Sequence, residues 1–436
     1  MRMTESSRNR PSGLLTWLKP CFYVAVLLIT SPAFADEYHY NNILIGDRAA
    51  GMAGAYTAIS DDPSGLYYNP AGIVFAPGRS FSASVNAYQY SKKTYKDVLG
   101  GNGWERVSSN LLPNYFGVIQ PLGKGKLGFS YAVPDTRLEN QAQTFNDISG
   151  TIIKRYVINM NDTDYTYNFG PSYAFKINDK LSVGATVYMH YRDRQLISNH
   201  FVTTTPTDYE WTNVYDSTSE WGVKPILGVM WTPKDKLSLG LTVSKTAMLN
   251  SFRRKQITQR KLGVGNGVPE YLVLESTDHR QFPWTTTFGA AYFPSESLLL
   301  SADISRYGET PYSLNFKDAS TGANGGTLNV AQTATVNAAV GAEYYPSATI
   351  ALRGGLFTNM ANTPKLATGA SDQLEHIDMY GLSLSVSHFT RSSSLTFGGS
   401  YSYGAGKAQV YSAPITSIQD VEMQNITAFL SAAFSY

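Results

Sequence analysis

Apolar and polar residues alternate along most of this chain, which is the pattern of β-strands with two different faces. From Leu181 to Arg192 every second residue is apolar or aromatic, and the residues between them are mostly small or polar. The same period of two recurs after residues 233–235, 294–296 and 346–347, which have the composition of tight turns. A sheet with one apolar face and one polar face is therefore predicted for most of the chain.

Fourteen segments follow this pattern. They lie near residues 80–90, 113–121, 125–134, 164–176, 181–193, 221–232, 236–247, 280–293, 297–306, 334–345, 348–358, 378–390, 394–404 and 424–436. Six of the connections between them are short and seven are long, and the two kinds alternate strictly. The long ones are expected to be polar loops, for example residues 91–112, 135–163, 194–220, 248–279 and 307–333.

Loops that differ in length at the two ends of the strands are typical of outer-membrane barrels, which have an even number of strands, short periplasmic turns and long external loops. Closing the sheet also removes the strand edges, which lipid does not tolerate. The predicted fold is therefore all-β, a 14-stranded antiparallel transmembrane β-barrel. The alternative is a soluble sandwich or propeller, which would neither sort its loops in this way nor leave so many apolar residues on an uncovered face.

The composition agrees with a barrel. Charged residues make up 16% of the chain, against about 25% in soluble domains, and Tyr is frequent, with 30 residues. After the first 35 residues no apolar run reaches the length of about 18 residues that a transmembrane helix requires. The net charge of +2 falls to about −1 without the basic N-terminal segment, which gives no support for binding nucleic acid.

Residues 1–35 have the features of a secretory signal peptide. A basic start precedes the apolar run Cys21–Ile29, and Ala33-Phe34-Ala35 has the pattern of a cleavage site. Cys21 is the only cysteine, so the mature chain is expected to have no disulfide and no cysteine-based metal or redox chemistry. We expect export by this signal peptide and location in a bacterial outer membrane.

The last segment, from Ile426 to Tyr436, is strongly amphipathic and ends on an aromatic residue. Such an ending resembles the signal by which bacterial outer-membrane barrels are recognised for assembly. The barrel-assembly machinery is therefore an expected partner through the C-terminal strand.

Residues 36–78 do not alternate and have no place in the predicted wall. The stretch from Ala49 to Gly72 is rich in small residues, which allow close backbone packing. Because a barrel of this size has a wide lumen unless something fills it, we expect residues 36–78 to form a plug, or hatch, inside a barrel of residues 79–436. The alternative is a disordered periplasmic leader, which the low charge and Tyr67-Tyr68 disfavour.

The segment GDRAAGMAGAYTAISDDPSGLYYNPAGI closely resembles the N-terminal hatch of the FadL/TodX family of outer-membrane transporters of hydrophobic compounds. The matching residues are Gly46, Arg48, Ala49, Gly51, Met52, Gly54, Ala55, Tyr56, Ala58, Asp61, Asp62, Tyr68, Asn69, Pro70, Ala71 and Gly72. The resemblance implies passive uptake of fatty acids, alkanes, aromatics or similar molecules. It also implies a hatch that the ligand displaces, with gating residues Gly51, Met52, Gly54, Ala55, Tyr56, Asn69, Pro70, Ala71 and Gly72.

In that family the ligand leaves sideways through a gap near the third strand. By resemblance, Gly128 and Pro134 in and after the third predicted strand are candidates for this gap. Proline cannot donate a ladder hydrogen bond and is confined to strand edges, strand ends and bulges. Pro134 can therefore equally mark an ordinary strand end.

Little in the sequence indicates catalysis. The six His residues lack zinc-type spacing, and no Ser/His/Asp arrangement is evident, so we expect no enzyme activity, no metal and no cofactor. The paired carboxylates at residues 61–62 and 162–164 are interpreted as turn and loop caps. Arg192, Asp303 and Arg353 fall on the lumen face by parity. Arg192 and Arg353 are candidates for contact with an acidic ligand, or else pair with carboxylates and anchor the hatch.

The function predicted from these observations is passive uptake of hydrophobic small molecules through a plugged barrel. The expected partners are the hydrophobic ligand and the surrounding outer-membrane lipid and lipopolysaccharide, and the expected state is a monomer. Two alternatives remain: an open aqueous porin, and a secretion accessory that binds exported proteins.

Overall fold

The computed structural model describes residues 38–99, 101–148, 153–204, 208–262, 267–370, 373–410 and 417–435. The predicted signal peptide and the final Tyr436 lie outside these residues. The helices are short and lie near the start of the chain: α1 is Asp47–Gly51, α2 is Gly65–Tyr68 and a 3₁₀-helix covers Pro70–Phe75. Within the described residues, none of the helices is both long and apolar enough to cross a membrane.

Within the described residues, eighteen strands form one antiparallel sheet. They are β1 (Ser80–Leu99), β2 (Asn102–Leu122), β3 (Gly125–Asn146), β4 (Arg155–Asn178), β5 (Leu181–Thr203), β6 (Tyr209–Lys234), β7 (Leu237–Ser244), β8 (Ala247–Leu262), β9 (Glu270–Ser276), β10 (Thr285–Ser295), β11 (Leu298–Tyr307), β12 (Tyr312–Asp318), β13 (Asn324–Val330), β14 (Thr335–Ser347), β15 (Ile350–Asn359), β16 (His376–Phe389), β17 (Ser393–Ala408) and β18 (Gln419–Ser435).

The sheet closes on itself, because β1 pairs with both β2 and β18. Four wall strands are each interrupted once, so that β7 continues as β8, β9 as β10, β11 as β12 and β13 as β14. The strand β6, for example, pairs first with β7 and then with β8. Counting each interrupted pair once turns the eighteen segments into fourteen wall strands. The predicted closed, 14-stranded antiparallel barrel is therefore confirmed.

All six predicted short turns are present, at the ends of β2, β4, β6, β10, β14 and β16. The prediction of long loops is wrong in part, because the strands continue through much of residues 91–112, 135–163 and 194–220. Beyond the lipid the outward face of a strand no longer needs to be apolar, so the alternation that marks a membrane strand fades although the ladder continues.

The two faces of the wall differ as the alternation predicts. On β5 Val187 and Met189 are exposed on the outside, whereas Thr186 and Tyr188 are buried. Trp221 and Trp231 on β6 are both exposed on the outer face. Ten residues of a tilted strand cover about 25 Å of membrane, so these two side chains mark the outer and the periplasmic edge of the lipid-facing band.

Candidate functional site

Residues 38–76, which we call the plug, lie inside the barrel. Ser182 on β5 donates a hydrogen bond to the Ala71 carbonyl (2.8 Å), and Ser383 on β16 donates one to the Ala50 carbonyl (2.6 Å). These two strands lie far apart around the wall, so the plug crosses the lumen. The fold therefore contains the predicted plug.

Small residues on both sides allow the plug to lie close to the wall. A Cβ added to Gly184 on β5 would lie 2.6 Å from the carbonyl carbon of Pro70, and one added to Gly341 on β14 would lie 2.7 Å from the Met52 carbonyl oxygen. Within the plug, a Cβ on Gly51 would collide with Ser385. Glycine is thus required at positions 184 and 341, because backbone meets backbone there.

The Asn-Pro-Ala triplet forms the turn that starts the 3₁₀-helix. The Asn69 side chain accepts a hydrogen bond from the Ala71 N–H (3.1 Å) and donates to the carbonyls of Thr57 (2.8 Å) and Val229 (3.1 Å). Pro70 occupies the first helical turn, where its missing N–H costs nothing. One side chain therefore caps a helix, ties two parts of the plug together and attaches the plug to β6.

The remaining predicted gating residues also belong to this packing. Met52, Ala55 and Tyr56 are fully buried, and Gly54 adopts a left-handed φ of 84°, which favours glycine. A Cβ on Gly72 would lie 2.5 Å from the Ser60 carbonyl oxygen. The structure therefore brings all nine predicted hatch residues together in the plug.

Charged groups hold the plug to the far side of the barrel. The Arg48 guanidinium, on α1, donates to both carboxylate oxygens of Glu343 on β14 (2.6–3.0 Å) and to Asp61 (2.5 Å). Arg353 on β15 donates to the same Glu343 carboxylate at 2.7 Å. We call Arg48, Glu343 and Arg353 the latch. Nearby, the Asp303 carboxylate accepts the backbone N–H groups of Tyr56 (3.0 Å) and Thr57 (2.9 Å).

A cavity of about 260 Å³ lies between the plug and the wall. Aromatic rings and a few polar groups line it together, as in many small-molecule sites. The aromatic lining includes Tyr67, Tyr68, Phe282 and Tyr307, and the polar lining includes His190, Lys224, Arg280 and Asp303.

Two polar groups of the cavity have spare bonding capacity. The Lys224 ammonium lies 5.2 Å from the centroid of the Tyr67 ring, and no carboxylate of the described residues forms an ion pair with it. His190 uses Nδ1 to contact the Asn168 side-chain oxygen (2.8 Å), while its Nε2 is buried without a hydrogen-bond partner. Sequence reasoning missed both residues. A signal existed for Lys224, because its parity places a lone cation on the lumen face of β6.

The two predicted ligand-contacting arginines are paired. Arg192 donates to both oxygens of Asp164 (2.9 and 2.6 Å) and lies near Glu220, while Arg353 belongs to the latch. Neither lines the cavity, so their contact with ligand stays a prediction that would require these pairs to separate. The interpretation of residues 162–164 as a loop cap is wrong, because Asp162 and Asp164 face inward on β4 in buried ion pairs.

The ladder between β2 and β3 is interrupted. It runs from Leu122↔Gly125 to Tyr115↔Ala132 and resumes only at Ser108↔Glu139. We call residues 109–114 and 133–138 the β2–β3 gap. Pro134 lies in this gap and lines the cavity. Gly128 lies below it in the paired part of β3, where a Cβ would collide with Leu66 of the plug.

In the part of the chain that the structure describes, no group of three or more His, Cys, Asp or Glu side chains is arranged to hold a metal ion.

The barrel, the plug and the cavity together suggest passage of a small molecule. Comparison with known proteins agrees. Residues 26–371 match the family described as outer membrane protein transport protein (OMPP1/FadL/TodX). The chain belongs to this family.

The FadL/TodX family is a family of outer-membrane transport proteins and not of enzymes. Among solved structures, the chain is similar to a FadL homologue of Pseudomonas aeruginosa, with a TM-score of 0.65 and 15% identity over 91% of this chain and 99% of that one. The toluene transporter TbuX of Ralstonia pickettii has a TM-score of 0.62 and 16% identity over 91% and 99% of the two chains.

The toluene transporter TodX of Pseudomonas putida gives a TM-score of 0.63 and 16% identity over 89% of this chain and 97% of that one. At such identities these structures support the fold alone. No curated protein sequence matches the chain.

Proposed function

We propose that this FadL/TodX family member takes up small hydrophobic molecules across the outer membrane by passive diffusion, through a cavity that its plug closes. The observation that carries the proposal is a cavity of about 260 Å³ bounded on one side by the plug and on the other by a gap in the wall. This volume is slightly below the range of small-molecule pockets, which starts at about 300 Å³. Downhill diffusion requires no energy source or cofactor.

The ligand leaves the cavity through the β2–β3 gap in this proposal. Pro113 and Pro134 lie on opposite strands of this gap, and neither can donate a ladder hydrogen bond. Because no ladder pair joins the two strands between Tyr115↔Ala132 and Ser108↔Glu139, a side passage here breaks no ladder hydrogen bond between them. Gly128 supports the plug beneath the gap and does not border the passage.

Movement of the plug opens the path. The plug is held by hydrogen bonds, by the latch and by apolar contacts with the wall, such as those of Met52, Leu66 and Ile73. A ligand that enters the cavity contacts Tyr67 and Thr57 of the plug directly. We infer that binding shifts the plug because the ligand competes for these contacts.

The lining of the cavity favours an amphipathic cargo. Tyr67, Phe282 and Tyr307 provide apolar surface, while Lys224 provides a cation without a carboxylate partner among the described residues. Within the range of fatty acids, alkanes and aromatics, we therefore propose that molecules with an acidic group bind best. Lys224→Met should weaken binding of such an acid about tenfold, as loss of one charge-assisted hydrogen bond predicts, and should leave a neutral hydrocarbon of the same size unaffected.

The deciding experiment combines uptake with conductance. Cells lacking the protein should take up labelled hydrophobic substrates more slowly, and the mature protein should be closed in planar bilayers while a variant lacking residues 36–72 conducts steadily. Unchanged uptake would refute the transport proposal. A full-length protein that is already open would favour an aqueous porin, and stable co-purification with a secretion component would favour an accessory role.

Export and assembly complete the proposal. We propose that residues 1–35 are cleaved as a signal peptide, which N-terminal sequencing should detect as a mature chain starting at Asp36. The C-terminal strand β18 is proposed as the signal for the assembly machinery, and the protein as a monomer surrounded by outer-membrane lipid and lipopolysaccharide. Sedimentation in detergent would test the monomeric state.

A further inference from the structure

The wall contains a second interruption, between the continuous strand β7–β8 and the continuous strand β9–β10. The ladder runs up to Ser244↔Thr285 and resumes only at Arg253↔Ser276. Residues 245–252 on one side and 277–284 on the other form no ladder pairs with each other. We call these two segments the β8–β10 gap.

This gap lies at the level of the outer half of the lipid-facing band. Asn250 pairs with Trp221, which marks the outer edge of the band, and Ser244 pairs with Ile226, which lies midway between Trp221 and Trp231. An unpaired strand edge is costly in lipid because water is absent. An eight-residue interruption at this depth therefore needs a structural or functional reason.

One side of the gap turns inward and reaches the cavity. Arg280 donates to Glu220 on β6 (2.6 Å), and the Phe282 ring lies 5.5 Å from the His190 ring. Arg280 and Phe282 line the cavity, and so do Lys245 and Thr246 from the opposite side of the gap. The same residues thus border the cavity and the break in the wall.

The outer side of the gap has an apolar rim. Trp284 is 61% exposed and Leu249 is 68% exposed, at the depth where a barrel meets the acyl chains and the interface. The Lys245 ammonium lies 5.6 Å from the centroid of the Trp284 ring, so these two side chains approach each other across the gap. No ladder pair joins the two sides of the wall at this place.

The extracellular end of the lumen is filled on another side of the barrel. Inward-facing apolar residues of β1, β3, β4, β5 and β16–β18 pack into one buried cluster there, including Tyr95, Phe145, Tyr156, Ile377 and Met423. Passage straight down that side would require this cluster to separate. A route through a gap without a ladder requires less rearrangement.

We propose that the β8–β10 gap is a second lateral portal, through which hydrophobic molecules dissolved in the outer leaflet exchange with the cavity, and that residues 277–284 are its gate. The proposal rests on the transport function proposed above. The β8–β10 gap lies at a different position from the β2–β3 gap, because five wall strands separate the two gaps. Because the cavity then has two side openings, a ligand can enter it and leave it without full removal of the plug.

A reducible staple across the gap tests the portal. Ala247→Cys with Trp284→Cys places two thiols on exposed positions of opposite sides, in a mature chain that otherwise has no cysteine. A thiol-specific crosslinker with an internal disulfide should lower the uptake of labelled substrate at least fivefold, and reduction should restore it in the same sample. Phe288→Cys with Ile304→Cys, an exposed directly paired couple on β10 and β11, is the control and should transport normally when stapled.

A second readout does not depend on transport. Phe282→Cys and Ser305→Cys both place a thiol at a half-buried position in the cavity lining, but only residue 282 belongs to the gate. After the thiols are labelled with bimane in liposomes, brominated acyl chains should quench the bimane fluorescence at position 282 at least threefold more than at position 305. Equal quenching would overturn the portal, and so would stapled protein that transports at the normal rate. Wild-type protein without uptake would refute the transport function, while the quenching still decides whether the gap opens to lipid.

Discussion

Replacing Glu343 by Gln should open the barrel, because the Glu343 carboxylate joins both arginines of the latch. Its side chain is 0% exposed and that of Arg353 is 2% exposed, so the pair is screened little by solvent. Removing one partner of such a pair costs about 3 to 5 kcal/mol. The Arg48 side chain is 17% exposed and keeps Asp61 as an ion-pair partner. We therefore expect a cost at the lower end of this range, about 3 kcal/mol.

That energy acts on the docked plug more than on the barrel, since Arg48 is the plug's main charged contact with the wall. About 3 kcal/mol corresponds to roughly a hundredfold shift between the docked and the displaced plug. Single-channel recording in planar bilayers should therefore show a roughly hundredfold higher open fraction for Glu343→Gln. Migration of unheated protein in detergent gels checks that the barrel is intact.

Glu139→Gln is the matched control. It removes a buried carboxylate that is bonded to Arg106 near the outer end of the barrel, away from the latch. This variant should remain closed even though it loses a comparable ion pair. An intact Glu343→Gln barrel that conducts no more often than wild type would refute the role of the latch.

Three further changes to the plug lead to conductance predictions. Asn69→Ala removes three hydrogen bonds of about 1 kcal/mol each and should raise the open fraction at least tenfold, without changing the detergent-gel migration of the barrel. Gly184→Val places carbon atoms against the Pro70 backbone and should give steady conductance, whereas Gly399→Val, whose nearest heavy atom would be 3.1 Å away, should stay closed. Burial raises the pKa of Asp62 to about 7, so its contribution to docking is present at low pH and lost as pH rises through 7. The open fraction should increase about tenfold between pH 6 and pH 8, and Asp62→Asn should abolish that increase.

The wall of the barrel could be predicted because its signals are local. The alternation from Leu181 to Arg192 depends only on neighbouring residues facing lipid and lumen in turn, and each periplasmic turn is a few polar residues between two such segments. The plug was also recognisable, because Gly51, Gly54 and the Asn69-Pro70-Ala71 turn must allow close backbone contacts that few other residues permit. These features require no knowledge of which strands meet.

Only the tertiary structure decided what lies between the strands. The pairing of Arg192 with Asp164 and the meeting of Arg48, Arg353 and Glu343 join residues far apart in the chain, and a single sequence does not indicate which charges meet. The extensions of β3 and β4 beyond the lipid were missed because the outward face is polar there, as at Asn159 and Asn161, while inward positions such as Tyr156 are apolar. The cavity and both gaps are properties of ladder register and of an inward turn at residues 277–284, which depend on how the closed sheet and the plug fit together in space and not on any local pattern.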